Sequence, residues 1–304
     1  MTTLPIVRKF NDSHGVEITF YEWPVSQPKA IVQISHGLGE HARRWDDMAM
    51  ELNRAGFTVY ADDHRGHGLT GESQLSSGNI KRMGNLGTGG LPAAYEQVHD
   101  FTKLIKAEHP NLPVILLGHS YGSFIAQKII KKYSDDYAAV VLSGSSLMSP
   151  FYLNLGKLNK NWQDAPDASG FEWLSSDEQV GREFAADQLT FYADALRLFG
   201  VRDALKLFQK PKNTIRPDLP ILIMFGEDDP VGGVRSNEAL AKAYIKAGLT
   251  NIHMISYQGA RHEIFNEKQR RDAIEDLKEF LVEVVIEGGG RVATEALGSL
   301  LDGL

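Results

Sequence analysis

Residues 114–133 read VILLGHSYGSFIAQKIIKKY, and the pattern changes character at the serine. Val114–Leu117 is a continuous apolar run, which suits a strand buried on both faces. Ile125, Ile129, Ile130 and Tyr133 recur at i, i+4, i+5 and i+8, the stripe of a helix with one buried face. Between them lies Gly118-His119-Ser120-Tyr121-Gly122, a G-x-S-x-G. A strand that turns into a helix over so few residues needs a very tight bend. The serine takes a strained backbone there, and glycines two positions either side prevent clashes with neighbouring backbone. The hydroxyl of Ser120 is then expected above the carboxyl end of a sheet, at a helix N-terminus that favours developing negative charge. A plain glycine turn with an N-capping serine is the alternative; the flanking strand and helix favour the first reading.

The same alternation extends outward. Ala30–Ile34, Phe57–Ala61, Ala138–Leu142, Ile221–Phe225 and Ile252–Ser256 are further short apolar runs. Helical patterns fall at about 42–54, 92–108, 121–133, 235–247 and 267–286. This order predicts right-handed βαβ units and a doubly wound, mostly parallel α/β sheet. Leu4–Phe10 and Val16–Trp23, separated by Asn11-Asp12 and His14-Gly15, read as an antiparallel opening hairpin, which brings the strands to eight. The alternation stops between 146 and 215, where Phe151, Trp162, Trp173, Phe184, Phe191 and Phe199 mix with polar residues and no strand run appears. A helical insertion is expected there. The organisation is thus core at 1–145, insertion at 146–215, core again at 216–287 and a tail at 288–304 expected to be a frayed helix.

Composition narrows the chemistry. Among 304 residues, 32 Lys and Arg stand against 39 Asp and Glu, a formal charge of −7. Nothing concentrates the basic residues into a face for nucleic acid. No apolar run approaches the roughly 20 residues that span a bilayer, and the first residues lack the apolar core of a secretory signal. A cytoplasmic location is expected. With no cysteine, disulfides, thiolate catalysis and Cys-ligated metals are excluded.

A serine hydroxyl is a poor nucleophile without a general base and an acid to orient it. After a turn of this type the partners follow in the order acid, then His, each on a loop after a strand. Gly259-Ala260-Arg261-His262-Glu263 follows Ile252–Ser256, and its only rival histidine, His253, lies inside the strand run, so His262 is the expected base. Gly226-Glu227-Asp228-Asp229-Pro230 follows Ile221–Phe225. Asp229 is favoured as the acid because Pro230 holds it extended; Asp228 is the rival, and Glu227 the third choice.

Acyl transfer also needs two amide donors for the oxyanion. Tyr121 follows the nucleophile and supplies one. Ser35-His36-Gly37-Leu38-Gly39-Glu40-His41, directly after Ala30–Ile34, offers the Leu38 amide as the other, flanked by glycines that allow close approach. His36 and His41 lack a third ligand cluster, so no metal is expected. Asp63-His64-Arg65-Gly66-His67-Gly68 is read as a buried polar loop bracing the oxyanion loop, its Arg and Asp paired internally, in preference to a metal or phosphate site.

With these pieces together the chain resembles the α/β-hydrolases. Within them it is most similar to the bacterial monoacylglycerol lipase and lysophospholipase-like group of the serine aminopeptidase S33 type. HGLGEH at 36–41, DHRGHG at 63–68, GHSYG at 118–122, GEDDPV at 226–231 and GARHE at 259–263 carry the likeness. The resemblance implies a Ser120, Asp229 and His262 triad, a Leu38 and Tyr121 oxyanion hole, a helical cap (lid) at 146–215 over an acyl pocket, and no cofactor. It implies a small-molecule acyl ester as substrate, with any membrane contact transient and made through the cap. Serine at the nucleophile position sets the chain apart from dehalogenases and epoxide hydrolases, which carry aspartate there. The glycine-rich stretch Ser73–Leu91 departs from the group's pattern. The aromatic residues of the cap are expected to form either an acyl tunnel or the cap's own core. The alternatives are a small-substrate esterase or amidase on the same triad, and a catalytically silent ligand-binding homologue.

Overall fold

The structure, a computed structural model, describes residues 4–286 apart from Leu153, Leu155, Ala165 and Pro166. The expected tail at 288–304 lies outside these residues. Eight strands form one sheet: β1 (Ile6–Asn11), β2 (Glu17–Trp23), β3 (Ala30–Ser35), β4 (Phe57–Asp62), β5 (Val114–His119), β6 (Ala139–Ser143), β7 (Ile221–Gly226) and β8 (Ile252–Tyr257). Their spatial order is β1-β2-β4-β3-β5-β6-β7-β8. The β1–β2 and β2–β4 pairs are antiparallel and all others parallel.

The period of two along each strand divides the core. In β5, Val114 and Leu116 join one cluster while Ile115 and Leu117 join the other; β6 and β7 alternate in the same way. The first cluster is covered by α3 (Gly90–Glu108), α4 (Tyr121–Tyr133) and α8 (Gly233–Lys246), through residues such as Phe101, Ile130 and Leu240. The second is covered by α1 (Asp46–Arg54) and α9 (Arg270–Ile286), through Leu52 and Leu277. Both faces are therefore sealed, which is why the strand runs are apolar throughout. Gln33 in β3 is a polar exception, and it is satisfied: its amide donates to Val98 O at 3.0 Å and its carbonyl accepts from Thr102 Oγ1 at 2.7 Å.

Sequence patterning missed one element. Gly68–Ser76 forms a helix, α2, inside the region read as loop. Its sequence, GLTGESQLS, has little helical propensity. Packing supplies the reason: a Cβ on Gly71 would lie 2.6 Å from Gly66 O, so this backbone approach requires glycine. Beyond it, residues 77–89 turn through Gly78, Gly84, Gly87 and Gly89 at positive φ. The stretch Ser73–Leu91 thereby becomes a platform for the chain between β6 and β7. Arg82 and Asn85 donate to Arg197 O and Leu198 O, both at 2.8 Å, and Leu91 N–H donates to Asp203 Oδ2 at 3.0 Å.

That intervening chain holds α5 (Glu178–Ala186), α6 (Ala195–Phe199), α7 (Val201–Ala204) and a 3-10 turn at Leu205–Leu207, with no strand among the described residues. Among the described residues no helix is long and apolar enough to cross a membrane.

Candidate active site

Ser120 joins β5 to α4 with φ 50° and ψ −119°, a conformation that costs a non-glycine residue about 1–3 kcal/mol. Its N–H donates to Ser143 O at 2.9 Å, and its carbonyl accepts from Ser123 N at 2.9 Å. The flanking glycines are sterically required. A Cβ on Gly118 would sit 2.6 Å from Gly122 O, and one on Gly122 would sit 1.9 Å from Ser35 O. The first turn of α4 therefore rests directly on the backbone at the end of β3.

That contact brings the loop after β3 over the serine. An added Cβ on Gly37 would lie 3.2 Å from Ser120 Cβ. The peptide after Gly37 is held by His36, whose Nδ1–H donates to Gly37 O at 2.8 Å while its Nε2 accepts from His64 N–H at 3.0 Å. In a trans peptide the N–H points opposite to the C=O. With Gly37 O turned toward His36, the Leu38 amide faces the other way. Burial, with His64 and His67 nearby, drives His36 well below the usual histidine range, so this donor and acceptor pattern is that of the neutral ring.

His262 lies in the loop after β8 and is buried, as is Asp229 after β7. His262 Nδ1 is 3.0 Å from both carboxylate oxygens of Asp229, and Oδ1 also accepts from Val231 N–H at 2.8 Å. Glu227 and Asp228 are exposed, and Glu227 accepts from Ser256 Oγ instead. Burial opposes the imidazolium, but the charge and hydrogen bond of Asp229 outweigh it, so the His262 pKa is raised. Its Nε2 has no hydrogen-bond partner among the described residues. The ring is wedged between His119 and Trp173, with centroids 4.8 and 4.9 Å away. It also packs on Gly144, which directly follows the carbonyl that holds Ser120 N–H.

A buried ionic network, absent from the sequence reading, joins these loops. Arg44 reaches Glu263 with two bonds of 2.7 and 2.8 Å and Glu40 with one of 3.0 Å; Glu40 also accepts from Gly37 N–H at 2.5 Å. Burial pushes both carboxyls up. The Arg44 guanidinium overcomes this for Glu263, which is held low, while Glu40 remains raised. The network ties the glycine loop to the residue beside His262. Its sequence signal was the placement of a glutamate next to each loop, with Arg44 one helical turn beyond Glu40. Arg44→Met would strand two buried carboxylates, and urea unfolding at neutral pH is expected to report about 3–5 kcal/mol lost. A loss below about 1 kcal/mol would mean that the pair is not held in a desolvated network.

The loop at 63–68 does brace its neighbour, with one difference from expectation. Asp63 accepts from Ala42 N–H, Leu69 N–H and Tyr21 OH, while His64 joins Asp62 to Ser35 Oγ. Arg65 pairs with Asp12 of the opening hairpin at 2.6 Å, not with an acid of its own loop. His41 turns away from His36 to Asp187 at 2.8 Å, in the segment between β6 and β7. That segment lies against the site elsewhere too: Phe191 N–H donates to Gly39 O at 2.9 Å, and Glu263 N–H donates to Leu174 O at 2.7 Å. Among the described residues no group of three His, Asp or Glu is arranged to hold a metal ion.

The family described as serine aminopeptidase, S33, matches residues 26–269, most of the chain and every loop above. The chain belongs to this α/β-hydrolase family. Among its relatives is a monoacylglycerol lipase of Mycolicibacterium smegmatis, 28% identical over 284 residues that cover 88% of this chain and 94% of the relative. A solved carboxyl esterase of Bacillus coagulans, in complex with glycerol, superposes with a TM-score of 0.78 at 26% identity, over 93% of this hydrolase and all of the esterase. A monoglyceride lipase of Saccharomyces cerevisiae shares the fold, with a TM-score of 0.71 at 20% identity over 93% of this chain and 96% of the yeast chain.

Proposed function

We propose that this serine hydrolase cleaves monoacylglycerol-like and lysophospholipid-like acyl esters, with Ser120 as nucleophile, His262 as general base and Asp229 as the acid that orients it. The observation that carries the reading is the Asp229–His262 pair, whose Nε2 has no partner among the described residues and whose ring packs on Gly144, next to the Ser143 carbonyl that holds the strained Ser120. Asp229 fixes the Nδ1–H tautomer, so the lone pair of Nε2 is available for the Ser120 proton. The hydroxyl attacks the ester carbonyl, and the amides of Leu38 and Tyr121 hold the resulting oxyanion. Donors of this kind are each worth about 3–4 kcal/mol in the transition state. His262 then returns its proton to the departing alcohol. Water releases the acid from the acyl-enzyme by the same route. No cofactor enters these steps.

The ester class is supported by relatives that are themselves esterases and monoacylglycerol lipases. In this reading residues 146–215 are the cap, lying over the glycine loop and His262, and its aromatic side chains bound the acyl pocket. The test is hydrolysis of p-nitrophenyl esters from acetyl to palmitoyl, of monoacylglycerols and lysophospholipids, and of an aminoacyl anilide. An optimum at medium or long acyl chains is expected. Activity confined to acetyl esters or to the anilide would overturn the lipid-ester assignment in favour of a small-substrate esterase or an amidase.

The same pairing sets the pH profile. Only neutral His262 can take the serine proton, so kcat/KM falls as pH drops through its pKa. Because that pKa is raised, the acid limb is expected above about pH 6.5, the ordinary histidine value. A limb well below that value would mean that Asp229 does not carry its charge beside the ring.

A further inference from the structure

Arg261 precedes His262 in the chain, and the steps above give it nothing to do. Its side chain turns to the segment between β6 and β7. Residues 172–175 of that segment lie in no helix or strand, yet they carry Trp173, which is buried with its ring 4.9 Å from that of His262. Arg261 closes this turn from outside: its Nη1 donates to Glu172 O at 2.6 Å and to Ser175 O at 2.9 Å. The two carbonyls bracket Trp173 and Leu174. The guanidinium itself lies over the Trp162 ring, 4.4 Å from its centroid.

Backbone contacts extend the tie on both sides. Arg261 N–H donates to Glu267 Oε1 at 2.7 Å, and the same oxygen accepts from Ser176 N–H at 2.8 Å. Glu263 N–H reaches Leu174 O, as noted above. On the side away from the histidine loop, Trp173 N–H donates to Asn159 Oδ1 at 2.9 Å. The turn at 172–176 is thus bonded to the residues immediately before and after His262.

This matters because Asp229 fixes only the Nδ1 edge of the imidazole. The ring can still tilt about that edge, and the groups on its two faces decide where Nε2 points. On one face stands His119, which ends β5 and is held by the sheet. On the other stands Trp173, whose turn depends on the bonds just described. A displacement of about 1 Å at a reacting group costs on the order of 10²-fold in rate.

We propose that Arg261 is a positioning residue for the general base: by tying Glu172 O to Ser175 O it holds Trp173 on the face of His262 and keeps Nε2 in line for the serine proton. Residues 172–176 then belong to the framework of the histidine loop, not to a part of the cap that opens. The inference rests on the triad reading and adds to it a residue that touches neither substrate nor Ser120.

A double-mutant cycle tests it, read by the rate at which a fluorophosphonate labels Ser120 and by kcat and KM on an ester. Arg261→Gln is expected to lower the labelling rate and kcat about tenfold with KM within about twofold, and Trp173→Ala to lower the rates about thirtyfold. Because Arg261 acts through Trp173, the double variant is expected to be no slower than Trp173→Ala alone. Losses that multiply to about 300-fold, as for independent structural roles, would overturn the proposal, as would an Arg261→Gln enzyme with wild-type rates. Asn159→Ala frees the same turn from the opposite side, and it takes the place of Arg261→Gln in the cycle if that variant does not fold. Proton NMR of the resting enzyme gives a readout independent of turnover: the His262 Nδ1–H signal is expected to broaden by faster exchange with water in Arg261→Gln and in Trp173→Ala. A wild type that the fluorophosphonate does not label would count against the serine-hydrolase reading, not against the tie. The imidazole signal then decides: broadening in both variants supports positioning of the ring by Arg261, and an unchanged signal sinks it.

Discussion

Ser120→Ala is expected to lower kcat on any turned-over ester by roughly 10^6-fold, to the level that the oxyanion donors and binding alone provide. The size follows from the proposed mechanism, in which this variant lacks the atom that forms the covalent intermediate. Two serines packed at the turn are committed elsewhere: Ser123 Oγ donates to Ser120 O at 2.6 Å, and Ser143 Oγ faces His119. The folded state should persist. Alanine keeps the same positive φ and the same N–H to Ser143 O, so the free energy of unfolding is expected to move by less than about 1 kcal/mol. Steady-state kinetics with a fluorophosphonate-labelling control checks this. Residual activity within a hundredfold of wild type, with labelling intact, would remove Ser120 from the mechanism.

Asp229→Asn is expected to cost about 10^4-fold in kcat, because the amide can hold the imidazole in the wrong tautomer and no longer balances its charge. The substitution also carries a signed pH effect. Burial, the largest influence on His262, favours the neutral ring, and Asp229 is what overcomes it. With the carboxylate gone, the His262 pKa drops and the acid limb of kcat/KM moves to lower pH. Asp228→Asn, at an exposed position one residue away, is expected to change neither quantity by more than about twofold. If the two variants exchange these phenotypes, the acid has been assigned to the wrong residue. A pH profile of all three proteins separates the outcomes.

The serine turn was legible because its constraints are local. Gly118 and Gly122 are needed within two residues of Ser120, and the strand before it must be apolar on both faces once helices cover both. The same sealing made β3 through β8 readable as apolar runs, with ends that differ from expectation by one or two residues, since the last residue of a strand pairs by its backbone and not by its side chain. His262 was reached by elimination along the chain. Asp229 was favoured through Pro230, but its separation from Asp228 depended on which carboxylate the turn buries, and two adjacent acids look alike in sequence.

What lay beyond the sequence shares one physical cause: contacts between residues far apart in the chain. Arg65 finds Asp12 across 53 positions, Arg44 finds Glu263 across 219, and α2 forms because Gly71 meets the backbone of Gly66, not because its residues favour helix. The glycine-rich stretch before α3 reads as irregular until its role as a platform for residues 197–203 is seen. By itself, the sequence determined the strands and their doubly wound, mostly parallel class, the serine turn and the loops that bear Asp229 and His262, since each follows from local sterics or from a period of burial. Only the tertiary structure decided which acid meets His262, how His36 turns the Leu38 amide, and which buried polar atoms are left without partners. Those depend on side-chain distances of about 3 Å, the hydrogen-bond range, between separate segments, and no periodicity along one segment encodes them.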